Sequence, residues 1–449
     1  IFFVALLVYY LTAEPSLSFW DSGEYIATSA KLQIAHPPGA PLFQMLGAVF
    51  ATFASSPQQI AFTINMVSVL ASAFTVLFLF WSLTLLLREL VDAGTATLHN
   101  HAMILGASAV GSLAFLFSDS FWFSATETEV YALASFFIAI LLWSGLRWGR
   151  DMHKPKGNRW LLLISLLTGL SFGVHFMALL TIPSLGLIYY FKNYNKITVK
   201  NFIVANIAIV ILLYFVFGFL MPYTLALFAK TEIFMVNSLG LPFNSGTIFV
   251  FATLIGCFYF GIRYTHKKNM PHYNTGLLCI LFLMLGFSTW LILPIRANSH
   301  IVLNQNNPEN AAEVLAYYNR EQYPEQKTFY GPMYTEAYAG LDNEQPYVDE
   351  KPNYERNYKT GRYEIVNDYI NAKQNLDNSH KGFLPRLSKE ESATNYMAFV
   401  GPPKFSIDPQ LRRHGDSWSR LLASSGLLMP KGKLATKNMT SSYAVTAST

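Results

Sequence analysis

The 449-residue chain is 52% hydrophobic, 15% aromatic and only 13% charged, about half the charged fraction of an average soluble protein. That composition excludes a disordered chain and argues against an ordinary cytosolic enzyme. The net charge of +5 does not point to nucleic acid, because the basic residues sit between apolar runs, where membrane topology accounts for them.

Taken in chain order, the first apolar run, residues 1–13, would make a helix of about 20 Å, short of the roughly 30 Å hydrocarbon core. It begins at Ile1 and lacks the basic start of a signal peptide, so it reads as a span whose beginning is missing. Further apolar runs follow at 60–87, 102–118, 129–146, 160–176, 177–191, 202–220, 246–263 and 276–295. Together they predict an all-α polytopic membrane protein with about nine spanning helices. The stretch 160–191 is too long for one upright span, and Gly173, His175 and Pro183 offer a turn, so it divides into two short helices.

Basic residues test that division. Arg88, Arg147, Arg150, Lys154, Lys156, Arg159, Lys192, Lys196, Lys200, Arg263, Lys267 and Lys268 all fall on one side if 160–191 is a hairpin, and the positive-inside rule makes that side cytoplasmic. The loops at 14–59, 119–128 and 221–245, and everything after Pro294, then face outward. Asp21, Glu24, Asp119, Glu127, Glu129 and Glu232 share that outer side. Cys257 and Cys279 lie inside apolar runs, which suits neither a disulfide nor zinc. Residues 1–295 therefore read as a transmembrane domain and 296–413 as an extracytoplasmic, tyrosine-rich region. The stretch 414–449, rich in Ser, Ala, Thr and Lys, reads as a disordered or truncated tail.

The loop at 14–59 is more than a linker. Asp21 at a helix N-cap with Glu24 three residues on, flanked by Trp20 and Tyr25, has the pattern of a capping box with a hydrophobic staple and predicts a helix over about 22–33. His36-Pro37-Pro38-Gly39 stops it, and Pro41 opens a second helix over about 41–54. Two helices along the outer membrane surface are expected. A capping box alone would explain Asp21 and Glu24 without chemistry. Against that stands the gathering of two carboxylates, Lys31 and His36 in one loop at the water boundary, where polar groups tend to be kept for function.

A transferase with a lipid-linked donor needs this inventory: a carboxylate to take a proton from an acceptor hydroxyl, and cations to hold the departing phosphate. Asp21 is the candidate base, and Glu24, on the same helix face, would orient the acceptor or join a metal site. A lone Asp-x-x-Glu is a weak metal signal, so no metal ligand is assigned and no cofactor is required, with a divalent ion left open.

The run from Pro15 to Gly47, with Trp20-Asp21-Ser22-Gly23-Glu24 and His36-Pro37-Pro38-Gly39, resembles the signature of a family of multi-spanning membrane proteins abundant in Bacteroidetes. That family, long of unknown function, is similar to an animal endoplasmic-reticulum O-mannosyltransferase of plexin-type receptors and, in turn, to the GT-C glycosyltransferase superfamily. Pro294-Ile295-Arg296, the run Asn304 to Glu309, and Asn319-Arg320-Glu321-Gln322-Tyr323 fit the same pattern, so the resemblance covers about 14–330. It implies a GT-C-like helix bundle with an acidic catalytic residue in the first outer loop, a position that Asp21 matches. It also implies further spanning helices beyond this sequence.

Other candidates carry competing explanations. Arg296, just after Pro294, could grip a lipid phosphate or merely snorkel to the interface. Glu127 and Glu129 both fit capping boxes, with sugar binding the alternative. His175 reads as a satisfied core histidine. Arg320 is nominated by the family pattern alone. Asn438-Met439-Thr440 is a glycosylation sequon, a short motif with many chance matches.

These signals together predict transfer of a sugar, with mannose suggested, from a polyprenyl-phosphate carrier to Ser or Thr hydroxyls of exported proteins. The setting is a multi-pass protein of the bacterial inner membrane, surrounded by membrane lipid, with its site facing the periplasm. Asp21 and Glu24 would be catalytic, and His36, Lys31, Arg296, Glu127 and Arg320 would bind donor phosphate or substrate. A transporter or flippase for a lipid-linked substrate is one alternative, and a non-catalytic envelope or secretion subunit is the other.

Overall fold

The computed structural model describes residues 1–91, 97–323, 329–334, 340–378, 381–384, 387 and 392–401. The expected tail at 414–449 and the sequon at Asn438 lie outside the described residues. The chain divides into two units, Ile1–Arg320 and Glu321–Thr449. Residues 296–320, which composition groups with the polar region, pack within the first unit.

The protein is an all-α polytopic membrane protein. Helix α1 (Phe2–Leu11) leads into two short helices, α2 (Ser22–Ala30) and α3 (Pro41–Ala51), where the proline and capping signals place them. The long α4 (Ile60–Leu90) follows, then α5 (Leu98–Leu116), α6 (Asp119–Thr126) and α7 (Val130–Asp151). After these come α8 (Arg159–Ser171), α9 (Ile182–Asn193), α10 (Val199–Tyr214), α11 (Met221–Asn237), α12 (Ser245–Lys267), α13 (Pro271–Phe287), α14 (Ile292–Ala297) and α15 (Ala311–Tyr318).

Each expected apolar run is helical, but fewer are full spans than the nine expected. Among the described residues five helical stretches are long and apolar enough to cross a membrane, or six if α5 and α6, bent by 66°, count as one. The shortfall comes from α1, α8 and α9, which have 10, 13 and 12 residues. At 1.5 Å per residue these reach at most about 20 Å. Two loops also prove helical. Residues 119–126 form α6, and 221–237 continue the preceding span through a π-helical turn at Phe215–Leu220 into one helical stretch, Val199–Asn237. Leu220 and Met221 keep helical dihedrals across the junction, and Pro222, which breaks the regular i→i−4 ladder, falls just after the π-helical turn.

The hairpin at 160–191 is present. Trp160 at the start of α8 donates its indole N–H to Asp151 at the end of α7 (3.1 Å), so α8 runs back along α7. Helix α9 then follows α7 in the same direction. A side chain at Gly145 would meet Leu185 and one at Gly149 would meet Ile188, while Trp148 stacks on Tyr189 at 5.8 Å. The turn between them brings His175 within 5.6 Å of the Tyr131 ring, at the other end of α7. Glu89, Arg150 and Lys192 therefore meet at one end of the bundle, and the first loop lies at the opposite end.

The core under that loop is built from two clusters. Tyr25, Phe43, Val67, Val130, Leu133 and Phe137 form one buried cluster; Ile34, Phe172, Trp290, Leu293 and Tyr317 form a second. Asn65 in α4 donates to the carbonyls of Glu14 (2.7 Å) and Ser16 (3.0 Å) and accepts from Thr128, so one buried amide fixes the start of the first loop against the entry to α7. Glu232, expected as an outer-side acid, is buried. It accepts from the backbone N–H groups of Asn244 (2.5 Å) and Thr247 (2.9 Å), serving the N-terminus of α12.

The second unit contains three two-stranded antiparallel pairs, nested as β1 (Tyr330–Pro332) with β6 (Lys381–Phe383), β2 (Tyr347–Val348) with β5 (Lys373–Gln374), and β3 (Tyr354–Asn357) with β4 (Arg362–Ile365). A helix, α16 (Ser392–Val400), follows them. The recurrent tyrosines partly serve packing here: Tyr363 is buried and its hydroxyl accepts from Arg356 Nε at 3.1 Å.

Candidate functional site

The expected capping box does not form. Asp21 occupies the N-cap position of α2, yet its side chain makes no cap hydrogen bond. The staple fails for a backbone reason: Trp20 adopts a left-handed conformation (φ 61°), which turns its ring outward, 86% exposed. Tyr25 instead packs inward between Phe43 (5.6 Å) and His36 (5.8 Å). The Asp21 carboxylate is thus left without a cap hydrogen bond, with a side chain 58% exposed and His36 Nε2 as its charged neighbour at 3.8 Å.

Glu24 has a different employment. The chain leaves α2, and Ile34 forms a parallel bridge to Asn304, with Ile34 N–H donating to Leu303 O (3.0 Å). His36 then turns back over the helix. A cis Pro37–Pro38 bond and a Gly39 N–H to His36 O hydrogen bond (2.8 Å) close the turn. Gly39 is required here: its φ is +71°, and a Cβ would collide with the Tyr317 ring, whose hydroxyl donates to Ala35 O. The turn delivers His36 to Glu24. One Glu24 oxygen accepts from the His36 backbone N–H (2.8 Å) and from Gln305 Nε2 (2.8 Å); the other lies 2.7 Å from His36 Nδ1.

That pairing shifts both partners. Burial works to raise the Glu24 carboxyl, but the hydrogen bonds and charge of His36 outweigh it and hold Glu24 below its ordinary value. The Glu24 hydrogen bond raises His36 against the opposing effect of burial, and the Glu24 and Asp21 charges add to the rise. A carboxylate only accepts, so Nδ1 carries the proton and Nε2 faces Asp21, 3.8 Å from its Oδ2. Ligand atoms of Asp21, Glu24 and His36 all lie within 4.8 Å of one another, and among the described residues this is the one such group of His, Cys and acidic side chains.

Glu129 joins the cluster and was not among the assigned site residues, because its sequence signal is that of a cap. It is indeed the N-cap of α7, accepting from Val130 N–H at 3.3 Å, but it is only 7% exposed. Burial pushes its carboxyl to about 7, opposed by the Val130 hydrogen bond and reinforced by the charges of Asp21 and Glu127. Burial, then the nearby Glu129, Asp21 and Glu24 charges, likewise raise the Tyr25 phenol. The capping boxes expected at Ser124 and Thr126 do not form: both residues lie inside α6, whose N-cap position, Ser118, makes no side-chain cap hydrogen bond, and Glu129 alone caps α7. Glu127 is buried beside Glu129.

The other nominated residues separate into two groups. Arg320, in a left-handed turn after α15, is close enough for its charge to act on both His36 and His175, so the structure brings it to the cluster. His175 is held lower than usual by burial and then by Arg320, and its Nδ1 accepts from Met177 N–H (3.2 Å), a satisfied histidine as expected. Arg296 and Lys31 are elsewhere. Arg296 Nε donates to Leu32 O (2.6 Å) and its Nη2 to Lys31 O (3.2 Å), satisfying carbonyls at the C-terminal end of α2. Lys31 is exposed at that same end, about 15 Å along the helix from Asp21. The choice between phosphate grip and snorkelling for Arg296 is overtaken by a third role, a clamp on α2.

Residues 21–198 match the protein O-mannosyl-transferase TMEM260 N-terminal domain. The chain is similar to protein O-mannosyl-transferases. It is 26% identical over 151 residues to protein O-mannosyl-transferase tmem260 of Dictyostelium discoideum, covering 33% of this chain and 17% of that protein. It is 30% identical over 138 residues to TMEM260 of Mus musculus, covering 30% of this chain and 17% of the mouse protein. The matched region therefore spans about one sixth of the length of these relatives. Residues 324–419 match a family of unknown function (DUF8416). No solved structure matches. The matched N-terminal segment starts at Asp21 and contains Glu24, His36, Glu127 and Glu129; Gln305 and Arg320 come from outside it.

Proposed function

We propose that this protein is a GT-C-type glycosyltransferase of the bacterial inner membrane, which moves a sugar, with mannose the first candidate, from a polyprenyl-phosphate carrier to Ser or Thr hydroxyls of exported proteins. The observation that carries the proposal is the uncapped Asp21 carboxylate beside the Glu24–His36 pair, in a segment similar to O-mannosyl-transferases. Basic side chains at the opposite end of the bundle favour a periplasmic site.

In the reaction, the acceptor oxygen attacks the anomeric carbon as the bond from that carbon to the carrier phosphate breaks, and a single displacement inverts the centre. Asp21 takes the hydroxyl proton; it is a weak base, so transfer is concerted with attack. The phosphate leaves with the bonding electron pair, and Arg320, with His36 beside it, offsets its growing charge. Glu24 holds the imidazole in orientation through two hydrogen bonds. Arg296 and Lys31 take no part in this scheme, since they sit at the far end of α2.

The test is transfer of labelled sugar from polyprenyl-phosphate to a Ser/Thr peptide by the purified protein in lipid. Transfer that disappears in Asp21→Asn supports the scheme; full activity in that variant removes the assigned base. Movement of the lipid-linked sugar across vesicles without transfer to peptide would support the flippase alternative.

A further inference from the structure

We infer that Asp21 and His36 are the two inner ligands of a divalent first-row cation, with Glu24 as the outer partner that orients the histidine. The inference stands on the geometry of the cluster and does not depend on the transfer reaction.

Three features point to a cation. His36 Nδ1 is engaged by Glu24 at 2.7 Å, the carboxylate–histidine arrangement that fixes a metal-binding imidazole and leaves Nε2 free as donor. Nε2 faces Asp21 Oδ2 across 3.8 Å, too long for a hydrogen bond. An ion bound at about 2.0–2.1 Å from each atom spans a separation of up to about 4.2 Å, so it fits between them with little movement. The third feature is Asp21 itself, which stands at a helix N-cap and yet does not use its carboxylate as a cap. Glu24 Oε1 is already occupied by two N–H donors, which assigns Glu24 chiefly to the outer layer.

The mixed nitrogen and oxygen donors select among ions. One imidazole with carboxylates suits Zn²⁺, Co²⁺ and Mn²⁺, in an affinity order that puts Zn²⁺ ahead of Mn²⁺. Mg²⁺ and Ca²⁺ prefer all-oxygen ligands and should bind weakly.

The experiment is equilibrium dialysis of the purified protein, carrying no histidine tag, against Zn²⁺, with Mn²⁺ followed by electron paramagnetic resonance. About one equivalent of Zn²⁺ per chain is expected. Glu24→Gln should weaken binding roughly 10–100-fold through loss of orientation, and Asp21→Asn or His36→Ala by more. His99→Ala, an exposed histidine on α5, should bind as the unaltered protein does. Because the Asp21 carboxylate makes no hydrogen bond, Asp21→Asn should melt like the unaltered protein, so its result counts even if His36→Ala fails to fold. Stoichiometric uptake persisting in Asp21→Asn, or no uptake by the unaltered protein, overturns the site. Metal binding without sugar transfer would retain this inference while removing the proposed reaction, and metal-independent transfer would do the reverse.

Discussion

Glu24 grips His36 twice, through the backbone N–H at 2.8 Å and through ring Nδ1 at 2.7 Å, although the two residues are twelve positions apart. The paired contact fixes both where the histidine sits and how its ring is rotated. It also explains why Glu24 is missing from the cap of its own helix: its carboxylate is spent on the returning strand.

Asp21→Asn separates chemistry from stability. The side chain is mostly exposed and its carboxylate makes no hydrogen bond, so the change in stability should stay within about 0.5 kcal/mol. Transfer of labelled sugar should fall at least about 100-fold, the scale of general-base loss. A thermal melt and an activity assay on the same preparation check both halves.

Glu24→Gln leaves an uncharged acceptor against His36. It should lower His36 toward its ordinary value, because the Glu24 hydrogen bond is the largest influence raising it. Histidine titration followed by NMR on ring-labelled protein reads the change directly; an unaltered His36 titration would count against the pairing.

Stability should decline as pH rises from about 5 to 8. Glu129 has a folded pKa of about 7 against an ordinary 4.5, so its contribution is complete below the unfolded value and is lost as pH climbs through 7. His36 is raised from 6.5 and acts in the same direction, fully present below 6.5 and lost above its folded value. Glu24, lowered from 4.5, runs oppositely: its contribution is present above 4.5 and disappears as pH falls through its folded value. The most stable range is therefore near pH 5–6, with Glu129 responsible for on the order of 2 kcal/mol of the loss by pH 8. Melting curves of Glu129→Gln should be flatter across that range.

Gly39→Ala should cost about 1–3 kcal/mol, since it combines a left-handed backbone with a collision against Tyr317. The displaced turn carries His36 away from Glu24, so the cluster should fail together with the melt. Tyr317→Phe, which removes the hydroxyl donor to Ala35 O, should cost only about 1 kcal/mol.

Arg296→Ala should destabilise by about 1.5–3 kcal/mol through its two hydrogen bonds to Lys31 and Leu32 carbonyls. If it acts as a clamp, kcat and KM for the donor should be near normal at temperatures where the fold survives. A large KM increase without a stability change would instead restore it as a phosphate ligand.

Much of the helical unit was legible because apolar runs and proline breaks act locally. Pro41 marked the start of α3, and Gly173 and His175 marked the hairpin turn. Length was harder: Pro222 reads as a stop and the residues after it include Lys230 and Glu232, so composition cannot say that the helix through Leu220 continues to Asn237. At the site, Asp21, Glu24 and His36 were found from a motif, but their relationship was not. A capping box is the same four-residue pattern whether or not the cap forms; here Glu24 is taken by His36, twelve residues on, and the left-handed Trp20 undoes the staple. Glu129 was hidden for the complementary reason, because it caps a helix and also faces the cluster. The carbonyl contacts of Arg296 were hidden because carbonyls at a helix end draw a guanidinium as a phosphate does, and carbonyls leave no mark in a sequence.

The contacts that finish the first loop come from very late in the chain. Gln305 reaches Glu24 across 281 positions, Arg296 reaches Leu32 across 264, and Tyr317 reaches Ala35 across 282. At a synthesis rate of roughly 5–20 residues per second, the loop emerges about 15–55 s before its partners exist. During that interval the first loop lacks the partners that fix it, so its maturation is timed by the ribosome's progress through α14 and α15.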